Sequence, residues 1–163
     1  MDDDKKSSAL DVAIRLLAGR AHSRSELENK LRKRGFDAED ISKTIQRLDQ
    51  LKLTDDRAFA GNCMTSMARR RPEGKLKTRA RLKQKGLSDE IINEAIATSD
   101  QKTLCLCAAE KKLRTLSGPP EAKKKKLIAF LFNRGFDWET IRETVDMVMG
   151  EESDRSAGSD VSD

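Results

Sequence analysis

Apolar residues recur along this chain at spacings of three and four with charged residues between them, a pattern that predicts amphipathic helices from end to end. One phrase returns three times, about fifty residues apart: Leu31-Arg32-Lys33-Arg34-Gly35-Phe36-Asp37, Leu82-Lys83-Gln84-Lys85-Gly86-Leu87-Ser88 and Leu131-Phe132-Asn133-Arg134-Gly135-Phe136-Asp137. Six residues after each glycine stands Ile41, Ile92 or Ile141, and ten after it Ile45, Ile96 or Val145, so one stripe of a following helix is apolar in every copy. Gly35, Gly86 and Gly135 sit where a helix must stop, because glycine enters the left-handed conformation without a Cβ penalty. The basic residue before each glycine suits the negative end of the helix dipole. Asp37, Ser88 and Asp137 then supply an N-cap for the next helix, with Glu39, Glu90 and Glu139 in its first turn. Each copy reads as helix, tight turn, helix.

Extending the pattern predicts nine helices. The first runs near Ala9 to Ala18 with Leu10, Ala13, Ile14 and Leu17 on one face; Ser23 and Glu26 form a capping box for the second, and the third runs from Ala38 to Leu51. A second trio opens at Asp55-Asp56, continues to Arg71, breaks at Pro72 and Gly74, and resumes over Lys75 to Lys85 and Asp89 to Thr98. The third trio opens at Asp100, breaks at Gly118-Pro119-Pro120, and resumes over Glu121 to Arg134 and Trp138 to Met149. The expected architecture is all-α: three tandem three-helix repeats of helix-turn-helix-like units over residues 9–53, 54–99 and 100–149, in an elongated, curved arrangement. Residues 1–8 and the acidic stretch 150–163 are expected to be disordered.

Residues 75–83 alternate charged and uncharged positions, which in isolation predicts a strand. Alignment with the second helix of the first repeat overrules this. Read as a helix, the segment places Lys75, Arg79 and Lys83 on one stripe and Lys77, Arg81 and Lys85 on another, leaving Thr78 and Leu82 for the core.

Composition narrows the function. Of 163 residues, 36% are hydrophobic and 37% charged, which suits small cores in series better than one large one. No apolar run reaches bilayer length and the first residues, Met1-Asp2-Asp3-Asp4, have the wrong charge for a signal peptide, so a cytoplasmic protein without membrane contact is expected. Cys63, Cys105 and Cys107 suit reduced thiols, and Cys-x-Cys with a single histidine, His22, lacks the ligands of a metal site. No phosphate-binding glycine loop or paired catalytic motif occurs, so neither an enzyme nor a cofactor is expected.

Charge points to a partner. The formal net charge is +5 although both ends of the chain are acidic, so the body between them is more basic still. A helical repeat of this balance meets anionic surfaces, whether nucleic acid or acidic protein. The first-choice residues are Arg69, Arg70, Arg71, Lys75, Arg79 and Arg81, because an arginine triplet beside an already basic helix repels itself. Arg32 and Arg34 follow, while Lys123 to Lys126 reads equally as a solvated face. The only tryptophan, Trp138, starts a helix and is expected to pack at the third repeat's turn rather than stack on bases, leaving contacts mainly ionic.

Ser23-Arg24-Ser25-Glu26-Leu27, then Lys30-Leu31 and Gly35-Phe36, then Leu53 with Asp55-Asp56-Arg57-Ala58-Phe59-Ala60, and then Lys85-Gly86-Leu87 together resemble the RecX family, bacterial regulators of the recombinase RecA. The resemblance spans about Ala9 to Met149. Pro72-Glu73-Gly74 and Thr78 depart from the longer Arg-rich link and apolar residue usual in the family. The resemblance implies a non-enzymatic negative modulator that lies in the groove of the RecA filament on single-stranded DNA, with double-stranded DNA a further candidate, and that inhibits ATPase, strand exchange or filament extension. The protein is expected to act as a monomer, with Asp55, Asp56, Phe59 and Ala60 structural. A DNA-binding repeat acting without RecA is the alternative, sequence-blind because the third helices of the repeats begin with acidic residues.

Overall fold

The computed structural model describes residues 7–157, and among them every regular element is helical. The helices are α1 (Ala9–Gly19), α2 (Arg24–Lys33), α3 (Ala38–Gln50), α4 (Asp56–Arg70), α5 (Lys75–Gln84), α6 (Asp89–Ala97), α7 (Gln101–Leu113), α8 (Pro120–Asn133) and α9 (Trp138–Ala157). Eight match the expected spans to within a residue or two. The exception is α9, which continues to Ala157 where Met149 was expected to be last, so the stretch expected to be disordered is helical in backbone as far as that residue. Ser8, also in an expected disordered end, caps α1, while residues 1–6 and 158–163 lie outside the described residues.

The repeated phrase folds as a repeated hydrogen-bond motif. Gly35, Gly86 and Gly135 have φ of 87°, 76° and 81°, and the residue after each donates its amide to the carbonyl of the leucine four before the glycine: Phe36 to Leu31, Leu87 to Leu82 and Phe136 to Leu131, at 3.3–3.4 Å. This six-to-one bond satisfies a carbonyl that a helix end leaves unpaired. Three residues on, the caps engage as expected. Asp37 accepts from the amide of Asp40 at 2.8 Å, Ser88 from Ile91 at 3.4 Å and Asp137 from Thr140 at 2.9 Å.

The Ser23 cap forms, but only half of its expected box. Ser23 accepts from the amide of Glu26, whereas the Glu26 carboxylate turns to Arg20 at 2.9 Å and Lys85 at 3.2 Å. A reciprocal box stands instead at α1, between Ser8 and Asp11.

Cores form where three helices meet. In the first repeat Ala9, Ala13, Leu27, Leu31, Ile41, Ile45 and Leu48 are buried together. Ile14, expected inward, is exposed, because α1 turns Ala9 and Ala13 to its neighbours, with Leu10 and Leu17 partly buried against the same core. In the third repeat Leu127, Leu131, Phe136, Ile141 and Val145 pack around Cys105, Ala108 and Ala109.

The chain separates into two compact units whose boundaries fall inside α4, α5 and α6. One holds the described chain up to Cys63 together with Arg81–Ala95; the other holds Met64–Ala80 and the described chain from Ile96. The second repeat is therefore shared out. Its Phe59, Ala60, Leu82, Leu87 and Ile92 are buried in the first unit, while Thr78 and Ile96 are buried in the second.

Equivalent joints explain that division. In the first unit the Lys85-Gly86 turn docks on the start of α2: the Ser23 hydroxyl donates to the Lys85 carbonyl, and a Cβ on Gly86 would lie 2.1 Å from Ser25 Oγ. In the second unit the Arg134-Gly135 turn docks on the start of α5. Gly74 donates to the Arg134 carbonyl at 2.9 Å and Leu76 to the Gly135 carbonyl at 3.3 Å. When Gly35 is aligned with Gly86, Ser23 falls on Gly74. Each turn thus grips the second helix of the repeat before it.

Candidate functional site

Arg69 and Arg70 end α4, are exposed, and pair with no carboxylate among the described residues. Three more of the first-choice cations follow within ten residues. Arg71 is exposed but its Nε lies 3.5 Å from Glu73, whose side chain is buried, so it serves the loop as well as the surface. Lys75 opens α5 and is exposed, and Arg79, one turn further, is half-buried. All five belong to the second unit. Sequence reasoning missed Lys111, whose ammonium lies 3.4 Å from the Arg69 carbonyl and adds another cation there; its only sequence signal was a Lys-Lys pair in the last turn of α7.

The loop beneath these residues is held by the third repeat. The Arg134 guanidinium donates to the Pro72 carbonyl at 3.4 Å and lies 4.7 Å from the centre of the Phe130 ring. A Cβ on Gly74 would come within 2.1 Å of the Gly135 carbonyl oxygen, so the close approach requires glycine there. Thr78 is buried as expected, and its hydroxyl donates to the Glu73 carbonyl at 3.5 Å. Pro72-Glu73-Gly74 and Thr78 are thus joined in one docked segment.

Arg32, Arg34 and Arg81 lie in the first unit and are exposed. Arg32 donates to Asn29 at 2.9 Å. Of the lysines on the expected α5 stripes, Lys83 pairs with Asp89 at 3.2 Å, while Lys85 is half-buried between Glu26 and the Phe59 ring, 5.4 Å away. Lys85 is therefore a structural cation. Lys124, in the run of four lysines, faces Asp146 at 3.4 Å.

Asp55 and Asp56 take separate structural roles. Asp55 accepts from the amide of Ala58 at 2.9 Å and caps α4, while Asp56 accepts from the amide of Arg24 at 3.0 Å and ties α4 to the start of α2. Arg57 completes the joint with Glu94 at 2.8 Å and Glu90 at 3.1 Å, and the hydrogen bond from Arg57 holds the Glu94 carboxyl below its usual range. Phe59 and Ala60 are buried.

Other chemistry-bearing side chains are quiet. Cys63, Cys105 and Cys107 are unbridged, and burial pushes the Cys63 and Cys105 thiols up. Among the described residues no group of three or more His, Cys, Asp and Glu could hold a metal, and no helix is long and apolar enough to cross a membrane. Burial also lowers the pKa of His22, whose Nδ1 lies 2.9 Å from the Arg20 carbonyl.

Trp138 departs from expectation. It is 59% exposed, not packed into the turn, and Phe132 on the other side of Gly135 is 65% exposed.

Family models describing the first, second and third three-helix domains of RecX match residues 9–48, 55–96 and 104–145. The chain belongs to the RecX family. Its membership accounts for the tandem three-helix repeats and for the Asp55-Asp56-Arg57-Ala58-Phe59-Ala60 segment that opens the second RecX domain. A protein named regulatory protein RecX from Chlorobaculum tepidum is 71% identical over 156 residues, covering 96% of this chain and 98% of its own. Another of that name from Chlorobium phaeobacteroides is 51% identical, covering 90% and 95%. The crystal structure of RecX from Lactobacillus salivarius superposes with a TM-score of 0.76 at 25% identity, covering 87% of this chain and 94% of that one.

Proposed function

We propose that this protein is a negative modulator of the RecA recombinase, binding in the groove of the RecA filament on single-stranded DNA and inhibiting its ATPase, strand exchange or extension. Membership of the RecX family supports the choice of target. The observation that carries the mode of action is the exposed arginine end of α4, where Arg69 and Arg70 pair with no carboxylate among the described residues and Lys111 adds further positive charge. Like charges held together gain stability when an anionic surface, phosphate or carboxylate, neutralises them. Arg32, Arg34 and Arg81 supply further cations from the first unit, so several modest contacts on one chain add as effective concentration. The protein acts as a cytoplasmic monomer of three repeats, without catalysis and without a cofactor.

The test is DNA-dependent ATP turnover by a bacterial RecA with and without the protein. Inhibition that is relieved by Arg69→Glu with Arg70→Glu supports the reading; unchanged turnover overturns it, and full inhibition by the double variant removes the α4 end from it. Salt-sensitive binding to naked DNA combined with indifference to RecA would favour the DNA-binding alternative.

A further inference from the structure

Position matters more than composition for two aromatic residues. Three residues before the turn glycine the repeats carry Arg32, Lys83 and Phe132; three after it they carry Ala38, Asp89 and Trp138. All six are exposed. The first two repeats use these places as ordinary solvated positions, whereas the third fills both with large rings that no core covers. Leu76, 71% exposed, belongs to the same place, because its own amide is bonded to the Gly135 carbonyl at 3.3 Å.

Cations stand beside the turn that carries the rings. A Cβ on Gly135 would lie 2.8 Å from the Lys77 amide nitrogen and 3.2 Å from its Cβ, so Lys77 stands beside the turn, and Lys75 is close enough to Asp137 to favour its carboxylate. Both lysines are exposed. The acids here are Asp137, whose Oδ1 accepts from the Thr140 amide and whose Oδ2 accepts from the Thr140 hydroxyl, and the exposed Glu139. Exposed aromatic faces flanked by lysines match the chemistry of unpaired nucleotides, whose bases stack and whose phosphates pair with cations. A duplex hides the base faces that such rings would meet.

We propose that Trp138 and Phe132, with Leu76 beside them and Lys75 and Lys77 at the edge, form a stacking platform for single-stranded DNA on the second unit. The platform deepens the modulator role and rests on it for the choice of DNA over RNA. It replaces the expectation of mainly ionic contact with a contact that has a salt-independent part.

The chain contains one tryptophan and no tyrosine, so its intrinsic fluorescence reports on this place alone. Titration of the full chain with oligothymidylate should quench that emission. Read by the anisotropy of a labelled oligothymidylate, because these variants lack the fluorophore, Trp138→Ala should weaken binding about tenfold without changing the salt slope, while Trp138→Phe should retain most of the affinity. Lys75→Ala and Lys77→Ala should each reduce the salt slope by about 0.7. Unchanged thermal unfolding of Trp138→Ala confirms that an exposed ring, not the core, was removed. Unchanged emission overturns the platform, as does a Trp138→Leu variant that binds as tightly as the parent. No recombinase enters the titration, so its failure leaves ATPase inhibition standing, and lost inhibition leaves the quench standing.

Discussion

Gly74 and Arg134 are joined by a backbone hydrogen bond of 2.9 Å between residues sixty positions apart, at the place where Ser23 and Lys85 are joined in the first unit. In one joint a serine hydroxyl is the donor; in the other the main chain itself is. The substitution of glycine for serine lets the chain approach so closely that no Cβ fits, and the turn carbonyl is satisfied by an amide.

That difference sets an order among glycine substitutions. Gly35 has φ of 87° but open space around it, so Gly35→Ala carries backbone strain alone, about 1 kcal/mol. Gly135→Ala adds a collision with the Lys77 main chain at 2.8 Å, and Gly74→Ala meets the Gly135 carbonyl at 2.1 Å. Both should cost about 2–3 kcal/mol in denaturant unfolding. Equal losses at Gly35 and Gly135 would show that the joint contributes nothing.

Lys52 offers the converse. It closes α3 with φ of 54°, the one described non-glycine residue at positive φ, and the following Leu53 amide makes the same six-to-one bond, to Leu48 at 2.9 Å. Lys52→Gly should stabilise the first unit by about 0.5–1 kcal/mol, seen as a rise in the thermal midpoint.

Asp56→Ala should destabilise by about 1 kcal/mol, because the Arg24 amide loses its acceptor. RecA inhibition per folded molecule should not change. A loss of inhibition with unchanged stability would move Asp56 into the binding surface.

His22 makes stability depend on pH. Burial lowers its folded pKa below 6.5; the Arg20 carbonyl and Glu26 oppose that shift, while the Arg20 and Lys30 charges add to it. Its Nε2 is buried without a hydrogen-bond partner among the described residues. The unfolded chain therefore takes up a proton first, and this contribution to stability is whole above 6.5 and declines as pH falls below it. Glu26, lowered from 4.5, loses its contribution only at more acid pH. Denaturant midpoints should fall between pH about 7 and about 5, and His22→Phe should flatten that slope.

Much of this fold was legible because its grammar is local. A glycine at positive φ, a leucine carbonyl five residues before the bonding amide, and a cap three residues before its own amide all lie within short stretches, so Leu31, Gly35 and Asp37 and their counterparts declared three helix-turn-helix copies. The basic end of α4 was legible too, since an arginine triplet followed by Pro72 ends a helix whatever surrounds it.

Tertiary structure decided which side chains remain outside. Glu26 leaves its own helix end for Arg20 and for Lys85, fifty-nine residues away, and thereby withdraws Lys85 from the surface. Ile14, Leu76, Phe132 and Trp138 look like core residues by hydropathy yet are exposed. Burial depends on which helix lies opposite, and local spacing does not specify whether anything covers a given position.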